Sequence, residues 1–272
     1  MTDTAPSLAS DAPLLREQIG TTLRLTMNRA RSRNALSEEM LDALTEAFKE
    51  AGEDKSVHVI VLAADGDVFC AGHHLKEMTL HRADEDGGRA YFADIMARCS
   101  AMMMGIVKCP KPVIAEVQGM ATAAGCQLVA TCDLAIAADQ AEFCTPGVNI
   151  GLFCSTPMVA VSRNLQRKQM MEMLLTGEII DAITAKGYGL VNRVVPKQYL
   201  RTVIDKYASE IASKSPLTLK IGKEAFYNQL DMPLQEAYDY CSQVMTENML
   251  ARDAEEGINA FIQKRQPEWT GE

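Results

Sequence analysis

Apolar residues fall along this chain in two rhythms, one suited to strands and one to helices. Leu14–Ile19 and Thr22–Met27 read as a pair of strands with Gly20 at the turn. Ser37 opens the run SEEMLDALTEAFKEA, in which Met40, Leu41, Leu44, Ala47 and Phe48 recur at helical spacing behind an N-capping serine. Val57–Ala64 is apolar on both faces and reads as a buried strand. A glycine-containing loop, Asp65–His74, follows, and polar Asp84–Gly88 precedes a Met-rich helix spanning 89–107. Beyond Pro110 and Pro112 come a strand at Val113–Val117, a small-residue turn at Gly119–Gly125 feeding a short helix, and a strand at Asp133–Ala138. From Thr156 onward the pattern is helical, with candidates at Gln166–Leu175, Asp181–Tyr188, Lys197–Lys214, Pro216–Gln229, Pro233–Leu250 and Asp253–Lys264.

Strand and helix alternating over the first two-thirds predict an α/β fold with buried, partly parallel strands. Residues 1–13 read as a flexible tail, 14–200 as the core and 201–272 as a helical C-terminal region that forms a small second domain or an oligomerisation layer. The chain has no internal sequence repeat.

Charge narrows the function. The 272 residues carry 27 Lys+Arg against 36 Asp+Glu, a net charge of −9. A protein that tracks nucleic-acid phosphates needs a basic face, and the acid-rich Glu38–Glu53 offers the opposite. No run of ~18 apolar residues predicts a membrane span. The first 13 residues contain two Asp and no Arg, unlike a secretory or transit leader. Eight cysteines without a CxxC or zinc-finger spacing read as reduced core thiols, with no metal and no cofactor. The expectation is a cytoplasmic protein.

Two strand-to-helix junctions carry candidate chemistry, Phe69–Leu75 and Val117–Leu128. Each places small residues where a buried strand gives way to a helix. Small residues let a ligand approach the backbone, and a helix start leaves N–H donors unpaired. Two such donors converging on one point make an oxyanion hole.

With these loops in place, the chain resembles the enoyl-CoA hydratase/isomerase (crotonase) superfamily over nearly its whole length. The matching pieces are Asn34–Ser37, Phe69–Leu75, Lys111–Ala115, Gly125–Asp133, Met173–Gly177 and Ala185–Val191. Within the superfamily, Thr122–Gln127 and Thr145–Ser155 are similar to the third type of enoyl-CoA hydratase domain-containing protein. The resemblance implies a crotonase-like spiral of ββα units, a helical C-terminal trimerisation region and assembly as a trimer or a hexamer. It implies an acyl-CoA thioester as substrate or ligand, its carbonyl oxygen held by the backbone N–H groups of His73 and Ala124. Ala71, His74 and Leu75 flank the first donor, and His74 stands where the family pattern has Asp. For the CoA phosphates the resemblance points to Arg31 or Arg33 and to Lys76. For the adenosine end it points to Phe261, Lys264 and Arg265, from this subunit or a neighbour.

The same resemblance exposes a loss. Hydratases of the superfamily add water with two glutamates, one acting as base and one as acid. Their positions map to Gln127, an amide that cannot take a proton near neutrality, and to Gly147, which has no side chain. Candidate substitutes are His73 and His74, which titrate in the useful range, and Cys154 and Ser155, where a thiolate nucleophile needs an adjacent base. The expected function is an enzyme of this family that stabilises a thioester enolate in fatty-acid or related acyl-CoA metabolism, with true hydration in question. A malonyl-type acyl-CoA decarboxylase and a non-catalytic acyl-CoA binder are the alternatives.

Overall fold

A computed structural model describes residues 11–272. In chain order the elements are β1 (Leu14–Ile19), β2 (Thr22–Met27), α1 (Glu38–Glu53), β3 (Val59–Ala64), β4 (Val68–Cys70), α2 (Leu75–Leu80), α3 (Arg89–Lys108), β5 (Val113–Val117) and β6 (Met120–Thr122). Then follow α4 (Ala124–Thr131), β7 (Leu134–Ala138), β8 (Glu142–Cys144), α5 (Ser155–Val161), α6 (Arg167–Thr176), β9 (Ile180–Asp181), α7 (Ala182–Tyr188) and β10 (Arg193–Val195). The C-terminal region holds α8 (Leu200–Ala212), α9 (Pro216–Gln229), α10 (Leu234–Leu250) and α11 (Arg252–Gln263).

Among the described residues, ten strands form two sheets. The first has the order β1-β2-β3-β5-β7-β10, parallel except for the β1–β2 hairpin. The second has the order β4-β6-β8-β9, with β4, β6 and β8 parallel. The chain therefore winds as a spiral. Each turn lays one strand in the first sheet (β3, β5, β7), one in the second (β4, β6, β8), and then runs into helix. The second-sheet strands β4, β6 and β8 are three residues each, too short to leave a periodic signature, so Asp65–His74 and Gly119–Gly125 read as loops although each contains a strand.

The helices follow their sequence signals closely. The Ser37 side chain accepts from the Met40 N–H and starts α1, which buries Met40, Leu41, Leu44, Ala47, Phe48 and Ala51. Each large side chain of that stripe contributes about 1.5–3 kcal/mol of apolar burial. By length and hydropathy alone α3 passes for a membrane span. Its stripe of Ile95, Cys99, Met102, Met103 and Ile106 is instead packed in the core, where α3 lies against α1.

Two boundaries differ from the sequence reading. Residues 1–10 of the expected tail lie outside the described residues. Pro13, however, accepts a hydrogen bond from the Asn28 N–H at 2.7 Å, and Asp11 and Ala12 accept from the Arg29 and Asn28 side chains. The tail is thus pinned before residue 13. At the other end, α8 packs Leu200, Ile204 and Ala208 onto the face of the first sheet made by Val59, Val61, Ile114 and Ile136. The core layer therefore runs past residue 200. Beyond it, Lys223 of α9 ties the C-terminal helices to the core, donating to Asp133 Oδ2 (2.7 Å) and to the Ile106 and Lys111 carbonyls (3.0 Å each).

Candidate active site

The two glycine-flanked junctions meet. Ala71 N–H donates to the Arg33 carbonyl (3.0 Å), Leu36 N–H to the Gly72 carbonyl (2.8 Å) and His74 N–H to the Leu36 carbonyl (3.3 Å). These bonds form a short parallel bridge between Leu36 and His73. In that pattern the amides of residues 72–74 alternate in direction, so the His73 N–H faces away from Leu36. Across the gap, Ala123 N–H donates to the Cys144 carbonyl (3.0 Å) and α4 starts at Ala124 with no side-chain cap. Among the described residues, neither the His73 nor the Ala124 amide nitrogen donates an internal hydrogen bond.

Contact between the junctions is backbone to backbone. A Cβ added to Gly72 would lie 3.2 Å from the Ala124 nitrogen and 3.1 Å from the Thr122 carbonyl oxygen. A Cβ on Gly125 would sit 2.1 Å from the Cys70 carbonyl oxygen, so only glycine allows α4 to begin there. Ala123 carries the geometry of the turn at φ 52° and ψ −118°, a region that costs a residue with a Cβ about 1–3 kcal/mol. No sequence signal marks this alanine.

Side chains on and beside the two junctions carry unspent polar groups. Both ring nitrogens of His73 are buried without a hydrogen-bond partner, and burial pushes the imidazole below its ordinary pKa against a weaker pull from the Leu36 backbone. Gln127, one turn into α4, is 5% exposed and its Oε1 has no partner. Thr145, fully buried after β8, has an unpartnered Oγ1. The sequence reading missed Thr145, since a lone threonine before a proline has no spacing to betray it. His74, where the family pattern has Asp, caps α2: its Nδ1 accepts from the Glu77 N–H (3.2 Å).

Gly147 is crowded rather than vacant. A Cβ there would be 3.0 Å from Cys154 Sγ, 3.1 Å from the Leu152 carbonyl oxygen and 3.2 Å from the Cys154 nitrogen. Cys154 is buried, and burial raises its thiol above the ordinary range, opposed in part by the Gly147 backbone. It stays protonated at neutral pH, which corrects the reading of a thiolate nucleophile. Ser155 is exposed and its hydroxyl donates to the Phe153 carbonyl (3.4 Å), with no basic side chain to activate it. Glu116 is paired as a buried carboxylate with Arg24 (2.6 Å) on the face of the first sheet that α8 covers.

Three cations stand close to the first junction. Arg31 and Arg33 lie on the bend before Asn34, and Lys76 is in the first turn of α2 beside half-exposed Leu75. All three are exposed, and among the described residues none has an acidic partner. Phe261 is 85% exposed on α11 and Lys264 caps that helix. Within this subunit α11 packs on α9 and α10, so the fold does not bring either residue to the hole. Arg265 is held by Glu256 through both terminal nitrogens.

The sequence profile described as enoyl-CoA hydratase/isomerase matches residues 17–272. The chain belongs to the enoyl-CoA hydratase/isomerase family. It is 45% identical over 260 residues to human enoyl-CoA hydratase domain-containing protein 3, mitochondrial, covering 96% of this chain and 84% of that one. The mouse protein of the same name is 46% identical over 246 residues, covering 90% and 80%. Among solved structures, an enoyl-CoA hydratase of Mycobacterium smegmatis superposes with a TM-score of 0.90 at 49% identity, covering 94% of this chain and 98% of that one. Human enoyl-CoA hydratase domain-containing protein 3 superposes with a TM-score of 0.90 at 44% identity, covering 94% and 100%. The crotonase fold read from the motifs is therefore established, spiral included.

These relatives of the family also correct one expectation. The vertebrate proteins are mitochondrial by name, which overturns the cytoplasmic placement. All eight cysteines are free and seven are buried. Free thiols separate reducing from oxidising surroundings, and they do not separate one reducing compartment from another.

Proposed function

We propose that this protein binds an acyl-CoA thioester and stabilises the enolate of its acyl group through the His73 and Ala124 amides. One observation carries the reading: two uncommitted backbone N–H groups on junctions that touch at Gly72. Donors preorganised around a developing oxyanion are worth ~3 kcal/mol each in water-excluded sites. Arg31, Arg33 and Lys76 supply local positive charge for the CoA phosphates on an otherwise acidic protein. No cofactor is needed for this chemistry. Exposed Leu234, Leu250, Phe261 and Ile262 on the C-terminal helices give a face for self-association, supporting a trimer or a dimer of trimers.

Reaction choice follows from the two altered positions. Gln127 has no carboxylate, and Cys154 sulfur crowds the place a second carboxylate would need. A reaction that forms an enolate without removing a C–H proton suits such a site better than hydration. Decarboxylation of a malonyl-type CoA is of this kind: the C–C bond breaks, its electron pair enters the thioester enolate, carbon dioxide leaves and the α-carbon takes a proton.

Crotonyl-CoA hydration and methylmalonyl-CoA decarboxylation, assayed separately beside thermal stabilisation by acyl-CoA esters, test the proposal. Stabilisation with decarboxylation and without hydration is the expected result. Stabilisation without either product makes the protein a non-catalytic acyl-CoA binder. A melting temperature unmoved by millimolar acyl-CoA overturns the proposal.

A further inference from the structure

We propose that the Cys154 thiol is the group that hands a proton to the α-carbon of the bound enolate. This inference rests on the thioester reading above and adds a catalytic residue to it. Cys154 Sγ lies 3.0 Å from where a side chain on Gly147 would begin, so a thiol holds the space of the missing second carboxylate. Cys154 starts α5, and α5 packs along α4 with their heads together. At the far end Asn164, just past α5, donates to the Ala130 carbonyl of α4 (3.0 Å). At the near end the Ala123 N–H, just before α4, donates to the Cys144 carbonyl (3.0 Å), and Gly147, three residues further on, meets Cys154. The thiol is therefore placed beside the helix start that supplies the Ala124 N–H.

Two buried polar atoms on these segments lack partners. Gln127 Oε1 sits on the first turn of α4 and Thr145 Oγ1 lies two residues before Gly147, just past the Cys144 carbonyl that accepts from Ala123. Buried polar groups in native proteins are nearly always paired, so orphans on two segments that meet point to a water or ligand that completes them. The thiol suits an acid better than a base. Burial holds its proton on, opposed only in part by the Gly147 backbone. In the step itself the S–H bond breaks, a C–H bond forms at the α-carbon, and the enolate electron pair becomes that bond. The thiolate then recovers a proton from water.

Decarboxylation of methylmalonyl-CoA in heavy water runs this step, and the configuration of the α-deuterium in the propionyl-CoA product, read by NMR on a chiral derivative, reports whether a fixed group delivers it. The red shift of cinnamoyl-CoA absorbance on binding reports the oxyanion hole separately. The expected result is a single α-deuterium configuration from the native protein and a racemic product from Cys154→Ala and Cys154→Ser, with the cinnamoyl-CoA shift intact in both. Serine keeps the packing and removes the acidity, so a single configuration retained in Cys154→Ser or Cys154→Ala overturns the assignment. So does a native protein that shifts cinnamoyl-CoA and gives racemic product or none. A native protein that leaves the cinnamoyl-CoA spectrum unmoved refutes the thioester reading itself, and this inference with it.

Discussion

The methyl carbon of Ala123 lies 3.1 Å from the point where a side chain on Gly72 would begin. The two residues belong to different turns of the spiral, and their contact sets the gap between the His73 and Ala124 amides. Gly72 also sits at φ +82°, where an L side chain is strained whatever the space. Gly72→Ala must therefore push the junctions apart and disturb the backbone at once. It is expected to destabilise the fold by about 2 kcal/mol and to abolish the absorbance shift of bound cinnamoyl-CoA. Denaturant unfolding beside the binding spectrum checks it, and a variant that binds normally contradicts the geometry.

Ala123 offers the opposite experiment. At φ 52° and ψ −118° its Cβ is a cost, and glycine adopts this conformation freely. Ala123→Gly relieves strain and gives up chain entropy, with a net gain of about 1 kcal/mol. A melting temperature at or below that of the native protein would show that the methyl's packing outweighs its strain.

His73 makes stability depend on pH. Its pKa is lower in the folded protein than in the unfolded chain, because burial disfavours the charged ring. Above the ordinary histidine value of 6.5 both states are neutral and the stability is fully present. As pH falls below it the unfolded chain gains a proton first, so stability drops until the native ring also titrates. His73→Gln should flatten the slope of unfolding free energy between pH 7 and 5. An unchanged slope assigns the acid sensitivity elsewhere.

Restoring the two carboxylates does not restore hydration by itself. Gln127→Glu alone is expected to leave crotonyl-CoA hydration far below that of the triple variant with Gly147→Glu and Cys154→Gly, since a thiol held protonated by burial is a weaker acid toward the α-carbon than a carboxylic acid. Adding Gly147→Glu forces a Cβ against Cys154 Sγ at 3.0 Å and the Leu152 carbonyl oxygen at 3.1 Å, so the double variant should lose stability. Only with Cys154→Gly as a third change does the new carboxylate gain room. Measured hydration is expected to rise in the triple variant relative to the double, and equal rates in the two would refute the crowding.

Lys223 anchors the C-terminal helices through three acceptors, including half-buried Asp133, which also accepts from Val113 N–H and Tyr227. Lys223→Met leaves that carboxylate without its cation, a loss of about 3 kcal/mol. Hydrogen exchange should show α9 opening while β3 and β5 stay protected.

Local chemistry was enough to read the α1 cap at Ser37, the hairpin at Gly20, the buried strands of the first sheet and the six C-terminal helices, because each is written within a dozen residues. Motif order was enough to read the crotonase family and fold, and to single out His73, Ala124, Gln127 and Gly147 as candidates. The second sheet was illegible, since strands of three residues exist only through the neighbours they pair with. Three features of the site came only from the tertiary structure: Ala123 forced to positive φ, His74 capping α2, and Cys154 filling the space at Gly147. Each arises where segments distant in sequence press together backbone to backbone, and no pattern within one segment records what the other brings.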